Sequence, residues 1–282
     1  MKAIKKILVK NPEAAFLIGN GPNLAAGIMP SWKQLLIDAG DKRIAFPVDE
    51  LSNTEVYDLI QLYAKPRTNV KKRVVKSLQL KPGADLSVHK RLMELAQEHD
   101  APVLTTNFDA GFETSIGAKI HHIESKGFTR FYPWKSYYSL EELTKPCGGF
   151  GIWKVHGDVR YFDSIRLGLT DYMGAAERAR ELITTGAGRL DNTHRKGEWQ
   201  GHMTWLDIWF NKPVIIFGLG YGSDEVFLRW LLIERRRYFN KLGKPMNVWY
   251  VNKDKPEPAV NNLMDNLGVT VVEVADFSDI YG

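Results

Sequence analysis

Three polar side chains follow apolar runs at positions where they could take part in catalysis. Asn107 and Asp109 come directly after the stretch PVLTT, and His156 stands in GIWKVHG. Imidazole titrates near neutral pH, so a histidine in a cleft can accept a proton from a reacting group. An Asx turn would explain one residue of NFD, and a lone histidine can simply be a packed side chain. We take Asn107, Asp109 and His156 as candidate catalytic residues and Thr106 as a candidate ligand contact.

A first glycine turn, in AAFLIGNGPN, places Gly19 and Gly21 after another apolar run. Glycine lets backbone N–H groups approach a pyrophosphate, because no Cβ stands in the way. A plain strand-to-helix turn would use the same two residues. Leu24 occupies the place of the third glycine in the dinucleotide fingerprint, and no acidic residue ends a second strand about 20 residues on. A nucleotide loop is predicted, but not that of a hydride-transfer dehydrogenase.

A second glycine-rich turn, in IIFGLGYGSDE, contains Gly218, Gly220 and Gly222. Ser223 and Asp224 follow them as an expected N-cap pair for the next helix. Capping does not explain three glycines within five residues, whereas the approach of a ribose or phosphate to the backbone does. This turn is predicted to be a second ligand-binding loop.

Short, continuous apolar runs predict buried parallel strands, because helices then cover both faces of the sheet. Six such runs lie at 14–18, 102–106, 151–157, 213–218, 247–251 and 269–274. Helical patterns such as SWKQLLID and PEPAVNNLMDNL alternate with them. The alternation predicts an α/β fold with a Rossmann-like, doubly wound parallel sheet. Asn252 would stand at the tip of one strand, either as a ribose-hydroxyl partner or as a turn residue.

Two long segments interrupt this alternation. Roughly 80 residues separate the first two strands, whereas an ordinary crossover unit takes about 30. We therefore expect a single domain, 1–282, whose helical insertions form a second lobe. Its core is expected at about 11–30, 100–160 and 212–282, and its insertions at about 31–99 and 160–211. The cleft between the lobes, at the carboxyl ends of the strands, is the expected site.

The composition limits the class of protein. The net charge is only +5, and the basic clusters at 65–76 and 234–238 suit solvated helix faces or anionic partners. One cysteine, Cys147, excludes an intrachain disulfide and a four-cysteine zinc site, and the histidines lack metal-ligand spacing. No apolar run reaches the ~18 residues of a membrane helix, and Lys10 and Glu13 interrupt what would be a signal peptide. A cytoplasmic protein without a metal is expected.

Taken in order, the stretches GNGPNLAAGIMPSW, TTNFD, VHG and GLGYGSDE resemble the sirtuin-like superfamily. The likeness is to the bacterial sirtuin-like NAD hydrolases of antiphage defence, and it spans about 14–225. It implies that the nucleotide is NAD, consumed as a substrate.

The resemblance also implies roles for individual residues. Asn107 corresponds to the asparagine beside the nicotinamide ribose, Asp109 to the carboxylate that recognises the carboxamide, and His156 to the catalytic histidine. The remaining matches are to residues around the phosphates and riboses of NAD: Gly19, Gly21, Asn23, Gly218, Gly220, Ser223 and Asn252.

Two departures from the sirtuin pattern bear on the activity. A single cysteine cannot build the four-cysteine zinc module of the deacylases, and GIMPSW replaces the usual GIPDFR without a matching arginine. The expected reaction is therefore cleavage of the nicotinamide–ribose bond with water as the acceptor. An ADP-ribosyltransferase and a non-catalytic NAD-binding sensor remain as alternatives.

Unrestrained loss of NAD would kill the host, so the resemblance implies regulation. In related defence systems such chains pair with a ring-forming ATPase or a short Argonaute. We expect a homo-oligomer or such a separate partner, with nucleic acid entering only through the partner and with no membrane association. The chain would then be the effector of an antiphage abortive-infection system.

Overall fold

A computed structural model describes residues 1–40, 51–124, 126–192 and 198–282. Eight strands lie within these ranges: β1 Ala15–Ile18, β2 Val103–Thr105, β3 Lys119–His122, β4 Ser136–Ser139, β5 Ile152–Lys154, β6 Val214–Phe217, β7 Val248–Lys253 and β8 Thr270–Val274. The helices are α1 Lys2–Lys10, α2 Gly21–Ala26, α3 Trp32–Ala39, α4 Asn53–Tyr63, α5 Val70–Ser77, α6 Ser87–Glu98, α7 Gly111–Ile116, α8 Leu169–Thr184, α9 Trp205–Asn211, α10 Val226–Leu242, α11 Pro258–Leu267 and α12 Ser278–Tyr281.

The strands form one sheet in the order β3-β4-β5-β2-β1-β6-β7-β8. Six of them, from β5 to β8 in this order, run parallel. After β1 the chain builds outward through β2 and β5, then returns to add β6 on the other side of β1. The order of the strands therefore reverses between β1 and β6, which is where open α/β sheets form a ligand crevice. The predicted Rossmann-like α/β fold is confirmed.

Alternate residues of each central strand point to opposite faces of this sheet. Leu17 and Ile216 pack on one face with the tryptophans of α9. Phe16 and Ile215 pack on the other face with α1 and α6. Both clusters are fully buried, so the strands read as continuous apolar runs.

Two strands were not predicted from the sequence. β3 (KIHH) and β4 (SYYS) pair with each other and are antiparallel, and β4 is also antiparallel to β5. β3 is the edge strand and is partly exposed throughout, whereas β4 lies beside it and is largely buried. Neither strand has a continuous apolar run, so the pattern that found the other six could not find them.

Two helices were also missed at the amino-terminal end. α1 buries Ile4, Ile7 and Leu8 at helical spacing. α2 begins at Gly21, inside the stretch predicted to be a loop, and ends at Gly27 in the left-handed conformation. Ser31 caps the next helix, α3, and its side chain accepts from the Gln34 N–H.

Three helices of the first insertion, α3, α4 and α5, form a second lobe with its own apolar cluster. Leu35 of α3, Val56 of α4 and Val74 of α5 pack together with Ile165 and Leu167 from the second insertion. Two helices of the second insertion pack on the main sheet, α8 through Ala175 and α9 through Trp205 and Trp209.

Candidate active site

A cavity of about 400 Å³ opens where the strand order reverses. Its walls come from the ends of β1, β2, β5 and β6 and from α3, α4 and α5 of the second lobe. The described lining residues are Asn20, Gly21, Leu24, Met29, Pro30, Ser31, Trp32, Leu35, Asn53, Thr54, Leu78, Thr106, Asn107, Phe108, Asp109, His156, Tyr172, Gly218, Leu219, Gly220, Tyr221, Gly222, Asp224 and Glu225. All three candidate catalytic residues are among them.

His156 is paired with a carboxylate. Its Nε2 lies 2.9 Å from Oε2 of Glu225, and both side chains line the cavity. The ring is buried, with the edge of Tyr172 against it at a centroid distance of 5.3 Å. Nδ1 is buried and has no hydrogen-bond partner among the described residues. The imidazole is therefore held at one nitrogen and unpaired at the other.

Asn107 presents an amide with a free donor. Its backbone N–H donates to Thr105 Oγ1 at 3.1 Å, which fixes the turn after β2. Its side chain is buried, and Nδ2 has no partner in the structure. A buried amide N–H without a partner costs free energy, so a cavity-lining one suits a ligand oxygen. Thr106, the residue before it, also lines the cavity.

Asp109 lines the cavity but is already engaged. Oδ1 accepts from the Gly111 N–H and Oδ2 accepts from Asn23 Nδ2, both at 2.8 Å. Each carboxylate oxygen has a second lone pair, so a ligand amide could still donate to it. Asp109 is thus a fixed negative charge at the wall of the cavity.

Asn23 is fully buried and organises its surroundings instead of lining the cavity. Its Nδ2 donates to Asp109 and also to Asn20 Oδ1 at 2.8 Å. Its Oδ1 lies 2.8 Å from Nε2 of His89. Because the Asn23 amide is the donor in the other two bonds, His89 must carry its proton on Nε2. Burial lowers the pKa of His89, which keeps this ring neutral.

A buried ion pair lies beneath the site. Lys154 of β5 donates to the backbone oxygen of Asp109, and its Nζ lies 2.9 Å from Oε2 of Glu113. Burial raises the pKa of Glu113 to about 7, against the opposing effect of Lys154. Burial would lower the pKa of Lys154, but the carboxylates of Glu113, Asp109 and Asp158 outweigh it and raise that pKa. The pair ties β5 to the turn that carries Asn107.

The first glycine loop is closed by packing. A Cβ on Gly19 would lie 2.8 Å from Leu219 Cα and closer still to the Gly218 oxygen. A Cβ on Gly21 would lie 2.6 Å from Gly218 Cα and would overlap the Tyr281 hydroxyl. The Gly21 N–H donates to the Gly218 oxygen at 2.8 Å, and the Gly19 N–H donates to Phe217. Gly21 lines the cavity, yet neither of these N–H groups is free for a phosphate.

The second glycine loop is open. Gly218 has φ +66°, a left-handed conformation that favours glycine, and a Cβ there would lie 2.9 Å from the Tyr281 hydroxyl. Gly220 and Gly222 have no atom within 4 Å of an added Cβ, and both line the cavity. Among the described residues, the N–H groups of 220–224 find no acceptor. This loop thus has unpaired backbone donors beside the cavity, which Gly220 and Gly222 line.

Ser223 and Asp224, which follow the glycines of this loop, do not form the predicted N-cap pair. The predicted N-cap pair was wrong, because α10 begins at Val226 and its N-cap is Glu225. Ser223 is exposed and lies outside the described cavity lining. Asp224 instead accepts from Asn53 of α4, whose Nδ2 lies at 2.7 Å and whose N–H lies at 3.2 Å. This contact joins the second lobe to the loop.

Asn252 also stays outside the described cavity lining. It is half-buried in β7, opposite Glu273 of β8. Two strands separate β7 from the parallel strand β2 that carries Asn107. Most of the residues predicted for the site therefore line the cavity. Four of them do not: Gly19, Asn23, Ser223 and Asn252.

The walls of the cavity combine aromatic rings with negative charge. Trp32 of α3 packs on Phe108 with a centroid distance of 5.4 Å, and Tyr172 closes the side near His156. Asp109, Asp224 and Glu225 supply carboxylates, whereas no lysine or arginine is among the described lining residues. Such walls favour a flat, positively charged group beside the rings and carboxylates.

Four contributors to the site were missed: Glu225, Asn20, Asn53 and Trp32. Glu225 lies 69 positions from its partner His156, and nothing in the local pattern links the two. The one available signal was the run of acidic residues in SDE just before a helix, where a carboxylate is stabilised by the helix dipole.

Neither the cysteine nor a cluster of metal ligands lies at the described part of the cavity. Burial raises the pKa of the Cys147 thiol, and Cys147 is not among the described lining residues. Within the part of the chain that the structure describes, no three His, Cys, Asp or Glu side chains cluster as metal ligands would. His194, one of the histidines considered above, lies outside the described residues.

Across the described ranges, each helix is too short or too polar to cross a bilayer.

Fold and cavity thus define an α/β protein with a Rossmann-like sheet and, at its switch point, a cleft lined by aromatic and acidic side chains. No protein-family model matches the chain. No curated protein matches it either.

Proposed function

We propose that the chain is an NAD glycohydrolase of the sirtuin-like kind, which cleaves the nicotinamide–ribose bond to give nicotinamide and ADP-ribose. The observation that carries this proposal is the meeting of Asn107 and His156 in one cavity. They come from two neighbouring strands, β2 and β5, and each keeps one buried nitrogen without a partner. A donor and a proton acceptor at a switch-point crevice are what hydrolysis of a dinucleotide needs.

The walls of the cavity support a cationic reacting group. The nicotinamide ring of NAD carries a positive charge, and bond cleavage moves that charge onto the ribose as an oxocarbenium-like centre. The carboxylates of Asp109, Asp224 and Glu225 stabilise positive charge at either place. The Trp32 and Phe108 rings offer a flat surface for the base.

The open loop supports a pyrophosphate. The unpaired N–H groups of residues 220–224 lie at the amino end of α10, a helix of 17 residues. Backbone donors at such a position bind anionic oxygens without a lysine or arginine. In this proposal the phosphates lie on this loop and not on the loop of Gly19 and Gly21.

The reaction follows from these positions. The glycosidic C–N bond breaks, and its electron pair passes to the pyridinium nitrogen, so nicotinamide leaves as a neutral molecule. A water oxygen bonds to the anomeric carbon, and the water proton passes to His156 Nδ1 and then to solvent. Asn107 donates to that water or to the ribose 2-hydroxyl and so orients the attack. Asp109 accepts from the nicotinamide carboxamide through its remaining lone pairs.

The biological role belongs to the same proposal. An enzyme that depletes NAD suits the effector of a bacterial antiphage abortive-infection system. Its activity would be restrained until a homo-oligomer forms or a separate partner, such as a ring-forming ATPase or a short Argonaute, releases it. The purified chain alone is then expected to turn over slowly.

Incubation of the purified chain with NAD labelled in the adenosine half tests the activity. We expect release of nicotinamide and free ADP-ribose, and loss of both in Asn107→Ala and His156→Ala, which should fold normally. Asn262→Ala and His122→Ala alter exposed residues outside the cavity lining and serve as matched controls.

The other outcomes are equally informative. Label that ends on protein or nucleic acid would make the chain a transferase. Tight binding without release of nicotinamide would make it a sensor. Full activity in the Asn107→Ala, His156→Ala double variant would remove the proposed site.

A further inference from the structure

The carboxylate of Glu225 and the imidazole of His156 form a pair that is built from two distant parts of the chain. His156 follows β5, and Glu225 is the N-cap residue of α10. Their contact, at 2.9 Å between Nε2 and Oε2, lies in the wall of the cavity. The sequence reasoning gave Glu225 no role.

We propose that Glu225 is a positioning residue for the glycohydrolase reaction: it holds the His156 proton on Nε2 and leaves Nδ1 as the only proton acceptor of the ring. This inference rests on the proposed function for its catalytic meaning, while the arrangement of the proton can be tested by itself.

The hydrogen-bonding inventory leads to this tautomer. An ionised carboxylate only accepts, so the Nε2 of His156 must be the donor in this bond. A neutral imidazole has a single N–H, and therefore Nδ1 carries a lone pair. Nδ1 is buried and without a partner in the structure. A water or ribose hydroxyl in the cavity would give this nitrogen its missing partner.

The surroundings keep both members of the pair in place. The ring of His156 is enclosed by Tyr172 and Phe227, with centroid distances of 5.3 and 6.3 Å. Its backbone oxygen accepts from the Arg166 N–H at 2.9 Å. Glu225 stands at the amino end of a 17-residue helix, where a negative charge interacts favourably with the helix dipole. The imidazole can therefore neither turn freely nor lose its charged partner.

Glu225 then contributes at the step in which charge appears. When Nδ1 accepts the proton from the attacking water, His156 becomes an imidazolium inside a largely buried site. The negative charge of Glu225, in contact with Nε2–H, offsets the cost of that buried positive charge. The Glu225 carboxylate itself gains no proton and does not touch the reacting atoms.

Three variants separate position from charge. Glu225→Gln keeps a carbonyl oxygen to accept from Nε2–H but removes the charge. Glu225→Ala removes both. Glu257→Gln changes an exposed N-cap glutamate on α11 and is the matched control.

The first readout is the nitrogen spectrum of chain labelled with ¹⁵N-histidine, recorded without NAD at a pH where His156 is neutral. We expect His156 to carry its proton on Nε2 in the wild type, in Glu225→Gln and in the control, and to exchange between tautomers in Glu225→Ala. A wild-type ring that is protonated on Nδ1 would overturn the inference, whatever the activity of the chain.

The second readout is nicotinamide release as a function of pH. We expect kcat to fall about tenfold in Glu225→Gln and about 100-fold or more in Glu225→Ala, with KM within about twofold of wild type. In Glu225→Gln the acidic limb of the kcat–pH profile should move to lower pH, because the imidazolium has lost its counter-charge. A purely structural role would leave that limb in place.

The two possible failures are distinguishable. Normal nicotinamide release by the wild type and by Glu225→Ala would overturn the role of Glu225 and leave the proposed function standing. A wild type that binds NAD but releases no nicotinamide would overturn the proposed function, and with it the catalytic part of this inference. Circular dichroism of each variant identifies any loss of folding.

Discussion

Two glycine-rich loops stand side by side at the carboxyl ends of β1 and β6, and they use their glycines in opposite ways. Gly19 and Gly21 are glycines because the neighbouring backbone and Tyr281 leave no room for a Cβ. Gly220 and Gly222 have empty space around them. The first loop is a packed support, and the second is an open surface.

The difference teaches what a glycine pattern can indicate. G-x-G after a buried strand predicts that the backbone is approached closely, but not by what. Here the first loop is approached by the second, since the Gly21 N–H donates to the Gly218 oxygen. Its glycines thus set the position of the loop whose own N–H groups remain free. Ligand contacts were predicted for both loops, but under the proposed function only the second loop would contact the phosphates.

The largest expected effect is on the packed loop. Gly19→Ala places a methyl group against the backbone of Gly218 and Leu219, so one of the two loops must move. We expect the free energy of unfolding to fall by about 3 kcal/mol or more, as in severe overpacking. Urea unfolding measures this loss. A Gly19→Ala protein as stable as wild type would show that the two loops do not support each other.

Gly222→Ala addresses the open loop and should have a different result. No atom lies within reach of the added methyl group, and φ is not in the left-handed region, so stability should be unchanged or slightly higher. The methyl group would instead stand between the backbone and a phosphate. We expect the Kd for NAD to rise about tenfold, which is about 1.4 kcal/mol.

Calorimetric titration with NAD measures this effect in a variant that lacks turnover, with His156→Ala as the common background. Equal affinity with and without Gly222→Ala would place the phosphates elsewhere. A loss of stability equal to that of Gly19→Ala would show that the second loop is packed as tightly as the first.

The sequence was most informative where burial is strong. Most of the six predicted strands are buried on both faces, and Asn107 and His156 were predicted because each follows such a strand. The edge strand β8 is only partly buried and was found from its valine-rich run. The strands β3 and β4 were missed because neither has a continuous apolar run: β3 is partly exposed throughout, and β4, although largely buried, reads SYYS. The pairing of Glu225 with His156 depends on where α10 begins relative to β5, and no local pattern encodes that distance. The roles of Gly19 and Gly21 likewise depend on a neighbour about 200 residues away.

A smaller effect is expected on the pH dependence of the free energy of unfolding, through residues next to the packed loop. His89 holds Asn23, which in turn holds Asn20 before α2. Burial lowers the pKa of His89 below its ordinary value near 6.5. His89 therefore binds a proton more readily in the unfolded chain than in the folded one. Because of this difference, the contribution of His89 to the free energy of unfolding is highest above about pH 6.5, where His89 is neutral in both states, and falls as the pH drops below that value.

Urea unfolding of the wild type and of His89→Gln between pH 7.5 and 5 checks this prediction. Glutamine can still donate to Asn23 but does not titrate, so its stability should fall less steeply on acidification. All other histidines are common to both proteins and cancel in the difference. Parallel pH profiles would mean that His89 does not link the packed loop to pH.

The smallest effect is expected at Ser223, which the resemblance placed on the phosphates or ribose of NAD. Its side chain is exposed and lies outside the described cavity lining, and the N-cap of α10 is the next residue but one. If the open loop binds phosphate through its backbone, then the hydroxyl is dispensable. Ser223→Ala should leave both the Kd for NAD and the unfolding free energy within the usual range of a surface substitution, about 0.5 kcal/mol. A tenfold loss of affinity would show that the loop rearranges on binding and brings its side chains, and not only its N–H groups, onto the ligand.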